Sequence, residues 1–527
     1  MSVRRLFTGA TAVSIVAASL ALAAPAQAEP SPSFVPLATD VVGVGSDTSM
    51  NALNYLGNGN GGVAGYNATR TTGRLASFDA GPTGTIVLRE GSAPVNRVTY
   101  NGSGNGKKAL YGASENLDVD FARSSSKLNA TEVSEGLQAF PFAKDTLAMA
   151  TATTSNAPAS LSKAQVVGIY KGELTNWSQV GGAAGPIAAK IPQSGSGTRD
   201  FFIAQLIAAN SGVAFTPVGA EVQEHDDTLI KADPNAIAPF SVGRAALLGT
   251  LRIEAGDFVA ARALYNVVRI EDVANVDILS LFGPTGFACS PGAASLILDA
   301  GFEQLLPVAQ GGECGRVTQA ATANLATAKV TTTTGVAGTS AVAGAASLTA
   351  TIAGGGASKP QGTVDFYLDG SATKVATAIV TGGKATKDLT GLAAGNHSVV
   401  AKFVPASSSA FNASESASTV FSVVAATPVP VPVPRAATRL VEKFKASYPK
   451  ALVYKAKVLV KETAVGAPTG KIIVKRGKKV VGKATIKAGK AVLKLKGLKK
   501  GTNKLIAIYK GDSKFVGSKK KFKIIVK

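Results

Sequence analysis

Near Gln319 the periodicity of this 527-residue sequence changes, and the change divides what each part can fold into. Before it, apolar runs of strand length alternate with helical spacings; after it, helical spacing disappears and two-residue alternation takes over. Val41-Val42-Gly43-Val44 reads as a buried strand, followed by a Gly/Ser turn and a helical start over Ser49 to Leu56. Leu161 to Lys171 has helical spacing behind a Ser162 cap, and Asp200 to Ala209 has it too. Strands alternating with helices predict an α/β domain with mostly parallel sheets. Gly57 to Gly65 reads as a flexible glycine-rich excursion.

The region after Gln319 contains two related units. Gly391-Leu392-Ala393-Ala394-Gly395 through Phe403 matches Gly497-Leu498-Lys499-Lys500-Gly501 through Tyr509 without a gap, as G-L-x-x-G-x-x-x-hydrophobic-x-A-x-aromatic. Upstream, Gly362 to Gly370 parallels Gly470 to Gly477, and Asp369-Gly370 is a turn signal after an alternating run. Units of this kind, about 90 residues long, suit small β-sandwiches. They resemble the bacterial immunoglobulin-like repeats of surface proteins, which implies spacer or adhesive roles. Alternating prolines from Pro428 to Pro434 favour a stiff polyproline II spacer between them. The expected organisation is a signal peptide over 1–28, an α/β domain over 34–320, β domains over 325–425 and 435–527, and the Pro-Val linker at 427–434.

The formal charge of +22 is concentrated at one end. Arg439 to Lys527 holds 27 Lys and Arg against Glu442, Glu462 and Asp512, a local charge of +24, leaving −2 for everything before it. Lysines alternate with apolar residues, as in Tyr454 to Val458, so period two places them on one sheet face. An exported protein without an aromatic stacking platform is expected to meet an anionic wall polymer there and not nucleic acid. Export itself is read from Arg4-Arg5, an apolar run from Ala10 to Ala24 and a small-x-small site at Ala26-Gln27-Ala28. No cysteine lies near that site, so a secreted or envelope-associated protein without a lipid anchor is expected. No later stretch is apolar and long enough to span a bilayer. The two cysteines, Cys289 and Cys314, are expected to pair outside the cell. With no histidine near them, zinc is not expected.

Four segments of the α/β region place small polar groups where an anion would want them. Gly45-Ser46-Asp47-Thr48-Ser49 lies between a strand and a helix start, where backbone N–H groups and the helix dipole favour negative charge. Asn101 to Lys107 reads as a second glycine-rich turn, and Ser194-Gly195-Ser196-Gly197-Thr198-Arg199 opens a helix. Asp120-Phe121-Ala122-Arg123-Ser124-Ser125 is the fourth. Together with Leu161-Ser162-Lys163-Ala164-Gln165-Val166-Val167-Gly168-Ile169-Tyr170-Lys171-Gly172-Glu173-Leu174-Thr175-Asn176-Trp177 and Asn235 to Ser241, these resemble the phosphate-binding proteins of ABC importers. The resemblance covers roughly residues 36 to 315.

That resemblance implies two α/β lobes closing on a small oxyanion, held by hydroxyls, backbone N–H groups, one arginine and one aspartate. Carried over by motif, the donors are Thr48, Ser49, Ser103, Ser196, the N–H of Gly197, and Thr198. The position of the family's aspartate holds Ser125 and that of its arginine holds Pro192, so Arg123 or Arg199 is expected to supply the positive charge. The expected function is capture of phosphate or a related oxyanion for an ABC permease. The alternative is a surface adhesion or scaffold protein whose binding fold has lost its ligand. No catalysis, cofactor or metal site is expected. There are only two histidines: His225, beside Asp226 and Asp227, reads as part of a surface loop, and His397 as a strand residue. No Gly-x-Ser-x-Gly elbow offers a nucleophile.

Overall fold

The computed structural model describes residues 32–407, 409–427, 431, 433–451, 453–462 and 467–527. The signal-peptide reading of 1–28 lies outside the described residues, as do residues 428–430 and 432 of the Pro-Val linker. The chain divides between Ala426 and Thr427 into two compact units.

The first unit begins with a two-lobed α/β domain built on one mixed sheet. Its strand order is Leu75–Ser77, Val41–Gly45, Phe121–Ser124, Val259–Val268, Gln138–Ala152, Ala236–Ser241, Ala188–Pro192, Ala220–Val222. The first three pair in parallel and form lobe 1; the last three pair in parallel and form lobe 2. Between them Gln138–Ala152 and Val259–Val268 run antiparallel, so the sheet is mixed where a mostly parallel one was predicted. Strands that pass from one lobe into the other and back must reverse direction, which local alternation in the sequence does not reveal.

The strand Gln138–Ala152 is buried through most of its length, and Val259–Val268 is buried from Arg262 onward. Phe140, Phe142 and Leu264 belong to the lobe 1 core, while Leu147 and Met149 pack with Trp177, Phe202 and Ile237 in lobe 2. Between the two cores, Asp145 lies directly opposite Arg262. The helix Lys163–Lys171 starts at a Ser162–Gln165 capping box and stops at left-handed Gly172, as its sequence demands. Cys289 and Cys314 form a disulfide inside lobe 1, both under 5% exposed.

A β-sandwich completes the unit, with three strands in one sheet and five in the other, in the register of the repeat. It is seated on lobe 1. Ala294 from the helix Pro291–Asp299 joins its core. At that helix's end the Asp299 carboxylate accepts from the N–H groups of Ala357 and Ser358, both at 2.7 Å, and from Asn60 at 2.9 Å. Gly61 fits here because its φ is +57° and a Cβ would lie 2.4 Å from the Ala357 nitrogen. The excursion at Gly57 to Gly65, read from sequence as flexible, is therefore a docking element.

The second unit is another sandwich, with sheets of three and five strands. Inward positions such as Tyr454, Ala456, Leu493 and Leu495 are buried while their neighbours are exposed. Lysines meet lysines across the ladders: Lys443 faces Lys457, Lys455 faces Lys494, and Lys504 faces Lys523. Among its described residues no ion pair offsets them, since the pairs found all lie in the first unit. Directly opposed like charges cost stability in a sheet.

Candidate anion site

The site forms where four chain segments meet in the cleft between the lobes. Lobe 1 supplies Thr48 and Ser49 ahead of the helix Met50–Asn58, Ser103 at the start of the helix Ser103–Lys108, and Ser125 after the strand Phe121–Ser124. Lobe 2 supplies Ser196, which caps the thirteen-residue helix Gly197–Ala209, and Thr198 in its first turn. All of Thr48, Ser49, Ser103, Ser125, Ser196 and Thr198 are 0% exposed. The segment 101–107, read as a turn, contains a short helix, because its small residues tolerate close approach to the strand Val41–Gly45.

The lobes touch. Thr48 Oγ1 and Thr198 Oγ1 are 3.2 Å apart, and the N–H of Gly104 donates to the Gly195 carbonyl at 3.0 Å. Asn101 Nδ2 donates to Gln223 Oε1 at 3.0 Å, and Gln223 Nε2 donates to Asp47 at 2.5 Å. Gly197 sits so close to lobe 1 that a Cβ there would lie 2.4 Å from Ser103 Oγ and 2.7 Å from Ser125 Oγ. This is a closed cleft.

At its centre is a carboxylate from the chain itself. Glu224 follows the strand Ala220–Val222 in lobe 2 and accepts hydrogen bonds from the hydroxyls of Thr48, Ser196 and Thr198. Its neighbour His225 brings Nε2 to 3.2 Å from Thr48 Oγ1 and 3.4 Å from Glu224 Oε1, and packs edge-on against Phe240. His225 has φ +56°, the left-handed region that side chains other than glycine's adopt at a cost.

The positive charge arrives from the crossing strands. Arg262 donates to Thr198 Oγ1 at 2.6 Å through Nη2 and to the Ser125 carbonyl at 3.1 Å through Nη1. Its Nε pairs with Asp145 at 3.0 Å, and both side chains are under 5% exposed. One guanidinium thus touches both lobes from the strand pair that joins them. Burial would raise the pKa of Glu224, but contact with His225 and the charge of Arg262 outweigh it and hold the group down at about 2. Burial, and then the charge of Glu224, push Asp47 well up, so a proton resides on Asp47 while Glu224 is ionised. Around this centre several buried polar atoms have no hydrogen-bond partner: Ser46 Oγ, Ser49 Oγ, Asp145 Oδ1, His225 Nδ1 and Arg244 Nε.

The two arginines expected from sequence are elsewhere. Arg123 is fully buried behind the first turn, donating to the carbonyls of Ser46 (3.0 Å) and Gly45 (3.3 Å) and to Ser77 Oγ (2.7 Å). Burial lowers its pKa to about 10, and it shapes the turn without reaching the cleft centre. Arg199, the third residue after the Ser196 cap, turns outward to Glu221 at 2.6 Å and to the Pro192 carbonyl. His225, expected on a surface loop, lines the cleft with a side chain 3% exposed. Glu224, Asp47, Asp145 and Arg262 were missed. For Asp145 and Arg262 a signal existed, since each is a charge within an apolar strand, and such charges are seldom buried unless paired. Among the described residues no cluster of three metal-ligating side chains occurs.

A family model described as a PBP superfamily domain matches residues 89–395, and one described as a bacterial Ig-like domain of group 3 matches 445–527. Comparison with curated proteins finds no match. Among solved structures, the chain is similar to an ABC-type phosphate transport receptor from Vibrio cholerae at 21% identity and TM-score 0.35, covering 50% of this chain and 99% of that one. A putative phosphate ABC transporter substrate-binding protein from Clostridium perfringens gives 18% identity and TM-score 0.38, covering 50% and 98%. A possible phosphate binding protein from Planctomyces limnophilus gives 13% identity and TM-score 0.31, covering 52% and 95%. With its two lobes, crossing strands and closed cleft, and with a family match over more than half its length, the chain belongs to the PBP superfamily and carries a bacterial Ig-like domain at its C-terminal end.

Proposed function

We propose that the protein is an exported solute-binding protein that captures phosphate or a related oxyanion in the interlobe cleft and catalyses no reaction on it. The observation that carries this reading is the convergence of Thr48, Ser196 and Thr198, from both lobes, on the oxygens of one carboxylate. A tetrahedral oxyanion offers the same acceptor chemistry, with further oxygens for the unpartnered hydroxyls of Ser46 and Ser49. The helix start at Ser196 adds its dipole. Arg262 adds a charge already balanced by Asp145, so the site binds chiefly through neutral donors aimed inward.

The experiment is isothermal titration of the full exported chain, dialysed free of bound solute, with phosphate, arsenate, sulfate and phosphonates. Binding of at least one oxyanion at micromolar affinity or tighter supports the reading. No binding to any of them, on folded protein, moves the assignment to a surface scaffold.

Delivery of the solute to an ABC permease follows in this proposal from the family's architecture. The C-terminal sandwich would serve retention: lysines opposed across both sheets, with no ion pair to them among the described residues, suit an anionic envelope polymer, whose charge relieves their repulsion. Deleting residues 435–527 should release the protein from the envelope into the medium; unchanged retention would refute this part.

A further inference from the structure

Glu224 does more than fill space in the cleft. It belongs to lobe 2, yet one of its donors, Thr48, belongs to lobe 1, so its carboxylate bridges the lobes as a captured solute would. Its side chain is fully buried, and its backbone N–H is fixed by Gln193 Oε1 at 2.8 Å. The following residue holds a left-handed backbone, a conformation that the surrounding contacts must maintain. The segment is also tied across the cleft by Gln223 to Asn101 and Asp47. The lobes are thus latched shut around an anion that the protein itself provides.

We propose that Glu224 is a tethered internal ligand: it holds the cleft closed in the absence of solute, and a free oxyanion binds only by displacing it from Thr48, Ser196 and Thr198. This rests on the oxyanion reading of the site. A tethered group competes at an effective concentration on the order of millimolar, far above the free levels of a scarce solute. The apparent affinity is therefore reduced by the fraction of molecules whose cleft is free of Glu224. Displacement must also open the lobes, so the rate of capture is set by release of the 223–225 segment. An anion with fewer or weaker acceptor oxygens than the carboxylate it replaces is rejected, which makes Glu224 a specificity determinant.

The test uses the full chain, wild type and with Glu224→Ala and Glu224→Gln, with inorganic phosphate as the probe. Each protein is titrated calorimetrically and measured by small-angle X-ray scattering with and without phosphate. The expected result is phosphate affinity at least about tenfold tighter in E224A than in wild type, with E224Q between them. Ligand-free E224A should be more extended than ligand-free wild type and should contract on adding phosphate. Equal affinities together with identical scattering of the ligand-free proteins would overturn the proposal while leaving the oxyanion site standing. If none of the three binds phosphate, the reading of the site as a phosphate receptor fails, and the scattering alone decides on the latch. An extended E224A upholds it, and an unchanged one overturns it. Should E224A fail to fold, E224Q carries the same comparison, since the amide keeps the size and loses the charge.

Discussion

Gly197→Ala is the substitution that separates closure of the cleft from the quality of its donors. Alanine at this position adds one methyl group 2.4 Å from Ser103 Oγ, 2.7 Å from Ser125 Oγ and 2.8 Å from Ser103 Cβ. The hydroxyls could rotate, but Ser103 Oγ is held by the N–H of Ser125 at 3.0 Å, and its Cβ cannot move without the helix Ser103–Lys108. Ordinary contact begins at 3.4 Å, so the lobes must part by about 1 Å at this point. Overpacking of that size costs about 1–3 kcal/mol. None of it falls on the open form, where alanine in a first helical turn is favoured over glycine by up to about 1 kcal/mol. Introduced into E224A, whose ligand-free cleft is open, the substitution should therefore lower oxyanion affinity by roughly 5- to 150-fold. Scattering should show a ligand-free protein more extended than wild type, with no loss in the melting temperature of the open form. A G197A protein with wild-type dimensions, and no loss of affinity in the E224A background, would refute the closed geometry on which the site is built.

Three further outcomes are expected. Arg262→Met leaves Asp145 buried without its partner and should destabilise the first unit by about 3–5 kcal/mol, whereas adding Asp145→Leu should recover much of the loss; chemical denaturation measures both. Because the folded-state pKa of Glu224 is depressed to about 2 from an ordinary 4.5, its contribution to stability is complete above about pH 4.5 and is lost as pH falls toward 2. Melting curves of wild type and E224Q should accordingly converge on acidification, and a gap that widens would contradict the assigned charge. Asp299→Ala strips the partner from two backbone N–H groups and Asn60, costing about 1–3 kcal/mol, and should expose the segment 354–361 to limited proteolysis while the disulfide-bonded lobe stays intact.

How much of this was legible in the sequence follows from the range of each interaction. The Ser162 cap, Gly172 stop and inward alternation of Tyr454, Ala456 and Val458 depend on near neighbours, and the sequence displays them directly. The α/β domain and the two sandwiches could be read for the same reason, and the disulfide because the sequence holds only two cysteines. The hydroxyls of Thr48, Ser103, Ser125, Ser196 and Thr198 were identifiable as segments of a known order, and the fold brings them together. The charges were another matter. Arg123 and Arg199 lie next to those segments in sequence but face away from the cleft centre, while Arg262, 64 residues beyond Thr198, reaches it because two strands cross between the lobes. Glu224 was hidden in a run of polar residues, Glu224 to Asp227, whose composition suggests a surface loop. Nothing local indicates that its carboxylate turns inward. Partnership across a closing cleft is set by tertiary geometry, and single-sequence reasoning has least purchase there.

The claim at the centre of this account is that Thr48, Ser196, Thr198 and Arg262 form one oxyanion cradle. Thr198→Val tests it most directly, because valine matches threonine in shape and removes only the hydroxyl that meets Arg262, Thr48 and the bound carboxylate. Titrating the variant and its parent side by side, both carrying Glu224→Ala so that no internal carboxylate competes for the same hydroxyl, with the oxyanion that binds most tightly should show a loss of affinity of about tenfold or more, the worth of one charged hydrogen bond. Unchanged affinity in the valine variant would place the anion elsewhere and contradict the site.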